Sequence, residues 1–336
     1  MIAVQLTDRK LLPMIESSIV IPTYRRAEGL RRALAGCLAQ QRIDAPFEII
    51  VVDNDAAGSA EPVVAQIAAT AAVPIRYVLE TRPGISHARN TGVAAATGRY
   101  LVFIDDDEEP VPDWLASFLA TIRQSGADLV VGPVYPQFAD PAADAYRRRK
   151  YTRDARAPTG TRLARWAGIG NTILDKARCF AGDAPFDPAL GLTGGEDTVF
   201  LHRLLRCGRV LVWCAEAEVR ETVPADRTDA RYMLRRAFRG GQSATFACTV
   251  VNPPESLRAA RMMLVGGVQL VVYGPAALTM RLLRQDCWLP LMDKTAAALG
   301  KLLWHPRLHL QMYRPRTPPA SAAPPQPPIG GPAPAP

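Results

Sequence analysis

The sequence predicts an α/β fold with a doubly wound, mostly parallel sheet and helices on both faces. Three observations predict it: short continuous apolar runs, helical segments between these runs, and polar residues where the runs end. Continuous apolar runs are typical of parallel strands that are covered on both faces, and right-handed crossovers place the connecting helices on either side of the sheet. The 336 residues suffice for one large domain with an appendage.

Predicted strands and helices alternate along the first half of the chain. The strands cover residues 18–23, 47–52, 75–79, 100–104 and 129–131. The helices between and after them cover residues 27–40, 61–70, 86–96 and 113–124. This pattern indicates a Rossmann-like sheet, in which ligands bind at the carboxyl edge of the strands.

The alternation is less regular after Pro136. The elements that the pattern still predicts are strands at residues 168–174 and 210–214, helices at residues 198–207 and about 227–239, and a turn at residues 240–241. Residues 262–280 carry no charge, lie between Arg261 and Arg281, and approach the ~20 residues that span a bilayer. They predict a C-terminal hydrophobic helix that is embedded in or lies on a membrane, in preference to a buried core helix, with residues 288–304 as a companion.

These patterns divide the chain into five parts. They are an N-terminal extension at residues 1–16, a first half of the sheet domain at residues 17–135, a second half at residues 136–250, a hydrophobic helical segment at residues 251–313, and a Pro/Ala-rich tail at residues 314–336. The tail is too poor in apolar residues to build a core, so we expect it to be disordered.

Charge and cysteine content limit the partners. The net charge of +8 favours anionic partners such as nucleotides or lipid headgroups, and no recognition motif for nucleic acid accompanies it. The six cysteines form no CxxC pair, which indicates free thiols in a reducing compartment. The first 13 residues contain no long apolar run, so we expect no signal peptide and a catalytic part in the cytoplasm.

Clustered acids directly follow the predicted strand at residues 100–104. They are Asp105, Asp106, Asp107 and Glu108. Asp105 and Asp107 are two residues apart and project to the same side if the strand continues. Carboxylates packed so closely repel one another unless a cation neutralises them, and hard oxygen ligands suit Mg²⁺ or Mn²⁺. The alternative is a solvated acidic loop, which we rank lower because unpaired acids beside a buried strand are costly.

Two further motifs could bind a ligand at the same edge of the sheet. Asp53 and Asp55 end the second strand, where they could accept hydrogen bonds from a base or ribose. An ordinary turn explains the same residues equally well. Arg82 and Arg89 flank the start of the third helix, a location suited to phosphate, although a surface position explains Arg89 equally well.

A second acidic motif lies at residues 194–197. Gly194 and Gly195 allow close approach to a ligand, and a carboxylate at Glu196 or Asp197 could act as a general base. Taken alone, acids at this position are also favoured by the helix dipole. Arginines recur at every fourth position from residue 227 to residue 239 and form one stripe on a helix, which either contacts phosphate or is simply solvated.

Taken together, these motifs resemble those of the family 2 inverting glycosyltransferases, which have the GT-A fold. The resemblance rests on five stretches in the family's order, at residues 18–25, 50–54, 84–92, 103–107 and 194–197. The subgroup is similar to bacterial enzymes that extend lipid-linked exopolysaccharide repeat units. The resemblance implies a divalent cation, Mn²⁺ or Mg²⁺, and a UDP-sugar as donor. It also implies a polyprenyl-diphosphate-linked glycan as acceptor, at the cytoplasmic face of the bacterial inner membrane, with the enzyme peripheral or carrying one embedded segment.

The resemblance also assigns roles to residues. Asp197 is the implied catalytic base, and Asp107 and Asp105 are implied metal ligands. The implied donor-binding residues are Pro22, Tyr24, Arg25, Asp53, Asp55, Arg82, Arg89, Asn90, Asp105 and Asp106. The implied acceptor-binding residues are Gly194, Gly195, Glu196, Arg236 and Arg239. Many relatives place a metal-binding histidine after the last strand, whereas this chain offers Glu221 there.

Two alternatives remain open at this point. The first is a catalytically silent subunit that binds a nucleotide-sugar within a membrane polysaccharide assembly, and the acids at Asp107 and Asp197 argue against it. The second is a sugar nucleotidyltransferase, which should carry a glycine-rich basic loop after the first strand. Residues 22–26 contain basic side chains but no glycine, so this alternative ranks lower.

Overall fold

The computed structural model describes residues 15–139, 144–180, 182 and 184–311. The expected Pro/Ala-rich tail and most of the expected N-terminal extension lie outside this part of the chain. The strands of the described residues are β1 (Ser17–Thr23), β2 (Phe47–Asp53), β3 (Ile75–Leu79), β4 (Tyr100–Phe103), β5 (Glu108–Pro110), β6 (Leu129–Val131), β7 (Val134–Phe138), β8 (Thr172–Asp175), β9 (Leu211–Trp213) and β10 (Val219–Val223).

Eleven α-helices are present in the same described residues. They are α1 (Ala27–Leu38), α2 (Glu61–Ala68), α3 (Ile85–Ala95), α4 (Trp114–Ser125), α5 (Ala145–Tyr151), α6 (Lys176–Cys179), α7 (Glu196–Arg206), α8 (Ala225–Thr228), α9 (Ala230–Val250), α10 (Ser256–Leu282) and α11 (Trp288–Leu302). Two short 3-10 turns cover Pro188–Leu190 and Pro306–Leu308.

The main sheet has seven strands in the order β3-β2-β1-β4-β8-β6-β9. β1 pairs in parallel with both β2 and β4, and β2 pairs in parallel with β3. β8 is antiparallel to its neighbours β4 and β6, while β9 is parallel to β6. The mostly parallel, doubly wound sheet that the sequence predicts is therefore confirmed.

The sheet is covered on both faces. Alternate residues of one strand enter two separate cores: Ile19 and Ile21 pack with α1 and α4 on one face, and Val20 packs with α3 and α7 on the other. This two-sided burial explains why β1, β2 and β4 read as continuous apolar runs, since neither face of these strands meets water, whereas the edge strand β3 is partly exposed.

A second, three-stranded sheet in the order β5-β10-β7 stands beside the carboxyl edge of β4. Its register places Glu221 of β10 directly opposite Glu108 of β5. Two acids that are 113 positions apart in the sequence, from 108 to 221, thus become neighbours next to the acidic cluster. This contact depends on strand register, which the sequence motifs do not show.

The C-terminal part differs from the prediction in one respect. The expected turn at residues 240–241 is wrong, because α9 continues through both glycines to Val250. A side chain at Gly241 would overlap the carbonyl oxygen of Ala297 in α11, and one at Gly300 would overlap that of Phe238 in α9. The glycines serve close packing of α9 against α11 and do not end the helix.

Candidate functional site

A cavity of about 320 Å³ opens at the carboxyl edge of β1, β2 and β4. Asp105, Asp106 and Asp107 line it from the loop after β4. Gly195, Glu196 and Asp197 line it from the start of α7. The two acidic motifs that the sequence singles out, almost 90 residues apart, therefore share one cavity.

Asp106 and Asp107 face a dense set of partners. Asp106 is buried and accepts hydrogen bonds from Thr23 Oγ1 at 2.8 Å and from Arg26 Nη1 at 2.9 Å. Asp107 Oδ2 accepts from Arg26 Nη1 at 2.8 Å and from Arg227 Nη1 at 3.0 Å. Burial, reinforced by the charges of Asp106 and Glu221, raises the pKa of Asp107 to about 8. Its carboxylate form is thus favoured only when positive charge is close.

Arg153 supplies positive charge to the neighbouring acids. Its Nη2 lies 2.8 Å from Glu108 Oε1 and 3.4 Å from Glu221 Oε2. Burial, followed by repulsion from Asp105, raises the pKa of the Glu108 carboxyl well above its ordinary value, and Arg153 opposes this rise. Arg153 belongs to no sequence motif and was not predicted as a site residue. Its position is explained by the two opposed acids, Glu108 and Glu221, which need a positively charged partner.

The start of α7 holds the acids that the sequence predicts for acceptor binding and base catalysis. Gly194 and Gly195 have φ angles of 75° and 96°, a conformation that side-chain-bearing residues rarely adopt. A side chain at Gly195 would overlap Ser243 of α9, so this glycine allows close approach of α9 at the wall of the cavity. Asp197 lines the cavity, and its Oδ1 accepts a hydrogen bond from the backbone N–H of Thr198 at 2.6 Å.

Arg89 connects the two acidic patches. Its guanidinium forms a short ion pair with Glu196 and lies 3.4 Å from Asp105 Oδ1. Burial raises the pKa of Glu196 to about 7, although the charge of Arg89 lowers it. Glu196 Oε2 is buried and has no hydrogen-bond partner among the described residues. Arg89 is itself almost fully buried, so its predicted alternative of a surface arginine is wrong.

Six predicted site residues do not line the cavity, and their contacts are structural. They are Arg25, Asp53, Asp55, Arg82, Asn90 and Gly194. Asp53 is fully buried and accepts hydrogen bonds from the backbone N–H groups of Asp55 and Ala60, at 3.0 and 2.7 Å. These bonds shape the turn after β2, which is the alternative that the sequence left open.

The other members of this set are also engaged elsewhere. Arg25 pairs with Asp55 at 2.9 Å. Arg82 pairs with Glu80 at 2.7 Å. The side chain of Asn90 exchanges two hydrogen bonds with the backbone of Phe186, at 2.8 and 2.9 Å. Each of these three side chains is thus paired with the scaffold in this structure, and a direct contact with the donor stays a prediction.

Adjacent residues occupy the cavity in their place. Arg26 lines it where the sequence predicts Arg25, and Asn54 lines it where the sequence predicts Asp53 and Asp55. Pro22 and Tyr24 line it as predicted. Tyr232 of α9 was missed. Motif positions thus locate the correct loops, while the turn geometry within each loop decides which side chain enters the cavity.

The arginine stripe divides between the cavity and other surfaces. Arg227, Arg236 and Arg239 line the cavity, whereas Arg231 and Arg235 do not. Arg236 also lies over the ring of Tyr151, 4.6 Å from its centroid. The phosphate-contact alternative therefore fits two members of the stripe by position, Arg227 and Arg239, together with the adjacent Arg236.

The donor set of the cavity fits a hard divalent cation. Six carboxylates line it, on Asp105, Asp106, Asp107, Glu196, Asp197 and Glu221. They are matched by six guanidinium groups, on Arg26, Arg89, Arg153, Arg227, Arg236 and Arg239. Oxygen ligands and the raised pKa of Asp107 both favour added positive charge at this point. Asp105, Asp107 and Glu221 could ligate Mn²⁺ or Mg²⁺, and each of the three carboxylates also lies within 3.4 Å of an arginine nitrogen.

Comparisons with known proteins identify the family. The family model for glycosyl transferase family 2 matches residues 18–182. The succinoglycan biosynthesis protein ExoM of Rhizobium meliloti is 34% identical over 227 residues, which are 67% of this chain and 72% of ExoM. The glycosyltransferase AglE of Haloferax volcanii is 31% identical over 142 residues, 42% of this chain and 46% of AglE.

Among solved structures, a crystal structure of S. aureus TarS residues 1–349 superposes with a TM-score of 0.49 at 12% identity, covering 85% of this chain and 89% of that chain. The family match and the extent of the similarity to ExoM confirm the resemblance that the motifs predict. They also confirm the enzyme class, a glycosyltransferase, and the α/β fold with its sheet covered on both faces. This chain belongs to glycosyltransferase family 2.

Proposed function

We propose that the enzyme is a metal-dependent inverting glycosyltransferase that moves one sugar from a UDP-sugar to a hydroxyl of a lipid-linked glycan. The main support for the proposal is that the acids after β4 and the acids at the start of α7 line the same cavity. A transferase needs both groups within reach of one anomeric carbon, because donor activation and proton removal act on the same displacement.

The donor side of the cavity has the groups that a nucleoside diphosphate requires. Arg26 and Arg227 point at Asp107, and the N-terminus of α3 contributes Gly84 and Ile85 to the lining. Guanidinium groups and a helix N-terminus are both suited to phosphate oxygens. When bound at Asp105 and Asp107, a divalent cation would offset the negative charge of the departing diphosphate.

The acceptor side supplies the base. Asp197 takes the proton from the acceptor hydroxyl, and this oxygen forms a bond to the anomeric carbon while the bond to the diphosphate oxygen breaks on the opposite face. The anomeric configuration is thereby inverted. Arg89 holds Glu196 beside Asp197 and so fixes the acceptor wall relative to Asp105. Glu196, Arg236 and Arg239 are positioned to contact the acceptor.

The relatives and the C-terminal part both support the proposed acceptor. ExoM is a succinoglycan biosynthesis protein, and a chondroitin synthase of Escherichia coli is 33% identical over 127 residues. These names favour a role in surface polysaccharide synthesis. An acceptor on polyprenyl diphosphate, at the cytoplasmic face of the inner membrane, fits the arginines of the cavity and the apolar helix α10. We keep residues 17–135 and 136–250 as the donor and acceptor halves of one domain.

The proposal is tested with membranes from cells that make the protein. They are incubated with radiolabelled UDP- and GDP-sugars, with and without Mn²⁺, and the labelled lipid is isolated and its anomeric configuration determined. We expect label from one UDP-sugar, only with the cation, and with inversion. Mn²⁺-dependent UDP binding without transfer from any donor would instead identify a catalytically silent subunit.

A further inference from the structure

The outer face of α10 is an apolar stripe that no described residue covers. Its exposed members are spaced by one step of seven residues and then by alternating steps of four and three; they are Leu257, Leu264, Val268, Val271, Pro275, Leu278 and Leu282. Leu264 is 70% exposed and Val271 is 74% exposed. Residues at this spacing share one side of a helix. An exposed apolar surface of this length marks an interaction site.

The ends of the stripe are basic. Arg258 and Arg261 lie in its first turns, and Arg281 and Arg284 lie at its other end. Two acids, Glu255 and Asp286, stand nearby, so the ends carry a net positive charge. An apolar centre with basic ends complements a bilayer whose headgroups are anionic. A second copy of this chain would bring the same arginines together and would offer no such complement.

The inner face of α10 is packed along α11, which runs back beside it. A Cβ at Gly266 would lie 3.0 Å from the carbonyl oxygen of Ala298, and one at Gly274 would lie 3.8 Å from Thr295 Cγ2. Lys301 Nζ donates a hydrogen bond to Gln269 Oε1 at 2.7 Å. The contact is thus continuous over about two turns in the middle of α10.

α11 is in turn fixed to the catalytic part. Lys150 of α5 forms a 2.5 Å ion pair with buried Asp293 of α11. The backbones of α9 and α11 approach closely at Gly241 and Gly300. At the other end, Glu255 just before α10 pairs with His202 of α7 at 2.8 Å. The start and the middle of α10 are therefore held against the domain that contains the cavity.

These attachments decide the orientation of α10 in a membrane. Its 27 residues are about 40 Å long, enough to cross a hydrocarbon core of about 30 Å. α11 has 15 residues and is about 22 Å long, too short to return across that core. A crossing would either strip α10 from α11 or draw Asp293, Lys294 and Lys301 into lipid, which is costly for charged side chains.

We propose that α10 lies in the plane of an anionic bilayer, with its stripe in the acyl–headgroup boundary and its inner face on α11. This inference rests on the proposed function, in that a lipid-linked acceptor brings the enzyme to a membrane. It answers the question that the sequence left open between a spanning and a surface-bound segment. Both ends of α10 and the catalytic cavity are then on the same side of the membrane.

Vesicle flotation tests the surface. Purified full-length protein is mixed with phosphatidylcholine vesicles, with or without phosphatidylglycerol. We expect flotation with the anionic vesicles, and a loss of about tenfold or more in the Leu264→Glu, Val268→Glu, Val271→Glu triple variant. Leu308→Glu, a change of an exposed leucine outside α10, is the control and should float normally. Equal flotation of the triple variant, or a dimer in solution that the triple variant abolishes, would overturn the proposal.

Two native cysteines report the orientation. Cys207 at the end of α7 and Cys287 just after α10 are exposed, and the other four cysteines are buried. Each serine variant leaves one exposed cysteine: Cys207→Ser leaves Cys287, and Cys287→Ser leaves Cys207. In inverted inner-membrane vesicles the cytoplasmic face is outward, and we expect a membrane-impermeant maleimide to label both variants before detergent is added. The double serine variant reports background. Labelling of Cys287 only after detergent would show that α10 spans the membrane and would overturn the proposal.

A failure of the membrane-surface proposal can be distinguished from a failure of the proposed transferase function. UDP-sugar turnover with a detergent-dispersed acceptor does not require a membrane, so it should be unchanged in the triple glutamate variant. Lost flotation with retained turnover supports both inferences. Normal flotation and outward Cys287 without any turnover would leave the membrane surface intact and refute the transferase proposal.

Discussion

The two sides of the cavity are built differently. On the donor side, Asp105, Asp106 and Asp107 follow a strand directly, and their positions are set by the end of β4 within the sheet. On the acceptor side, Glu196 and Asp197 begin a helix whose location depends on its contacts with α9. The comparison shows that one acidic group is placed by the sheet, whereas the other is placed by packing between helices and by the ion pair with Arg89.

Mutations on the two sides of the cavity should therefore change different properties of the enzyme. Removal of a donor-side acid should change ligand and cation binding while the sheet stays intact. Removal of an acceptor-side acid or of a connecting arginine should change chemistry or stability. The following substitutions separate these cases, beginning with the largest expected effect.

Asp197→Asn should reduce the rate of sugar transfer by about 10³-fold, because the amide cannot accept the acceptor proton. UDP affinity should stay within about twofold of the original, since Asp197 acts on the acceptor. Turnover assays and calorimetric UDP titration check both. Asp187→Asn, an exposed helix-cap aspartate outside the cavity, is the matched control. Parallel loss of UDP binding in Asp197→Asn would show that Asp197 serves structure.

Arg153→Met should destabilise the protein by about 3–5 kcal/mol, because it leaves buried Glu108 and its neighbour Glu221 without their counter-ion. Urea unfolding monitored by circular dichroism gives the free energy of unfolding. Arg165→Met, at an exposed arginine of the same region, should change it by under about 0.5 kcal/mol. An equal effect of the two variants would show that the Glu108–Glu221 contact tolerates the loss of Arg153.

Glu196→Gln should change how stability depends on pH. Burial raises the pKa of Glu196 from 4.5 to about 7, so the folded state binds this proton more tightly than the unfolded state. The resulting stabilisation is complete below pH 4.5 and is lost as the pH rises through 7. The original protein should thus lose on the order of 3 kcal/mol relative to Glu196→Gln over this range. Parallel pH profiles of unfolding free energy would contradict the raised pKa.

Asp107→Ala should weaken UDP binding in Mn²⁺ by about tenfold, since it removes a ligand for the cation. With EDTA present, UDP affinity should not fall, because Asp107 then only repels the diphosphate. Calorimetric titrations with Mn²⁺ and with EDTA measure both. Glu109→Ala, which removes a neighbouring acid paired with Arg32, should leave both affinities unchanged. An equal decrease under the two conditions would refute the metal role.

On the donor side, the sequence predicted the strands better than the individual side chains that enter the cavity. Strand runs and the acids that follow them are local signals, and the predicted strands at residues 47–52 and 75–79 agree closely with β2 and β3. Within the turns, however, the sequence identified Arg25 where Arg26 enters the cavity. The backbone conformation of Arg25, with φ of 54°, directs its side chain to Asp55, and a motif carries no such information.

Contacts between distant segments account for the remaining differences. Arg153 reaches the cavity because β5 and β10 bring Glu108 and Glu221 together, and this register has no counterpart in local sequence. Gly241 was assigned to a turn because glycine often ends helices. A glycine is required at this position because the backbone of α11, more than 50 residues later, leaves no room for a side chain. Tertiary packing thus overrides the local preference of the residue.

The uninterrupted course of α9 has a mechanical consequence. Arg236 and Arg239 near its start face the cavity, while its later turns contact α11 and the beginning of α7. Because 21 residues form one rod of about 32 Å, displacement of the C-terminal helices must tilt the arginines with them. In the proposed membrane-bound enzyme, this helix couples the position of α10 at the bilayer to the arginines of the cavity.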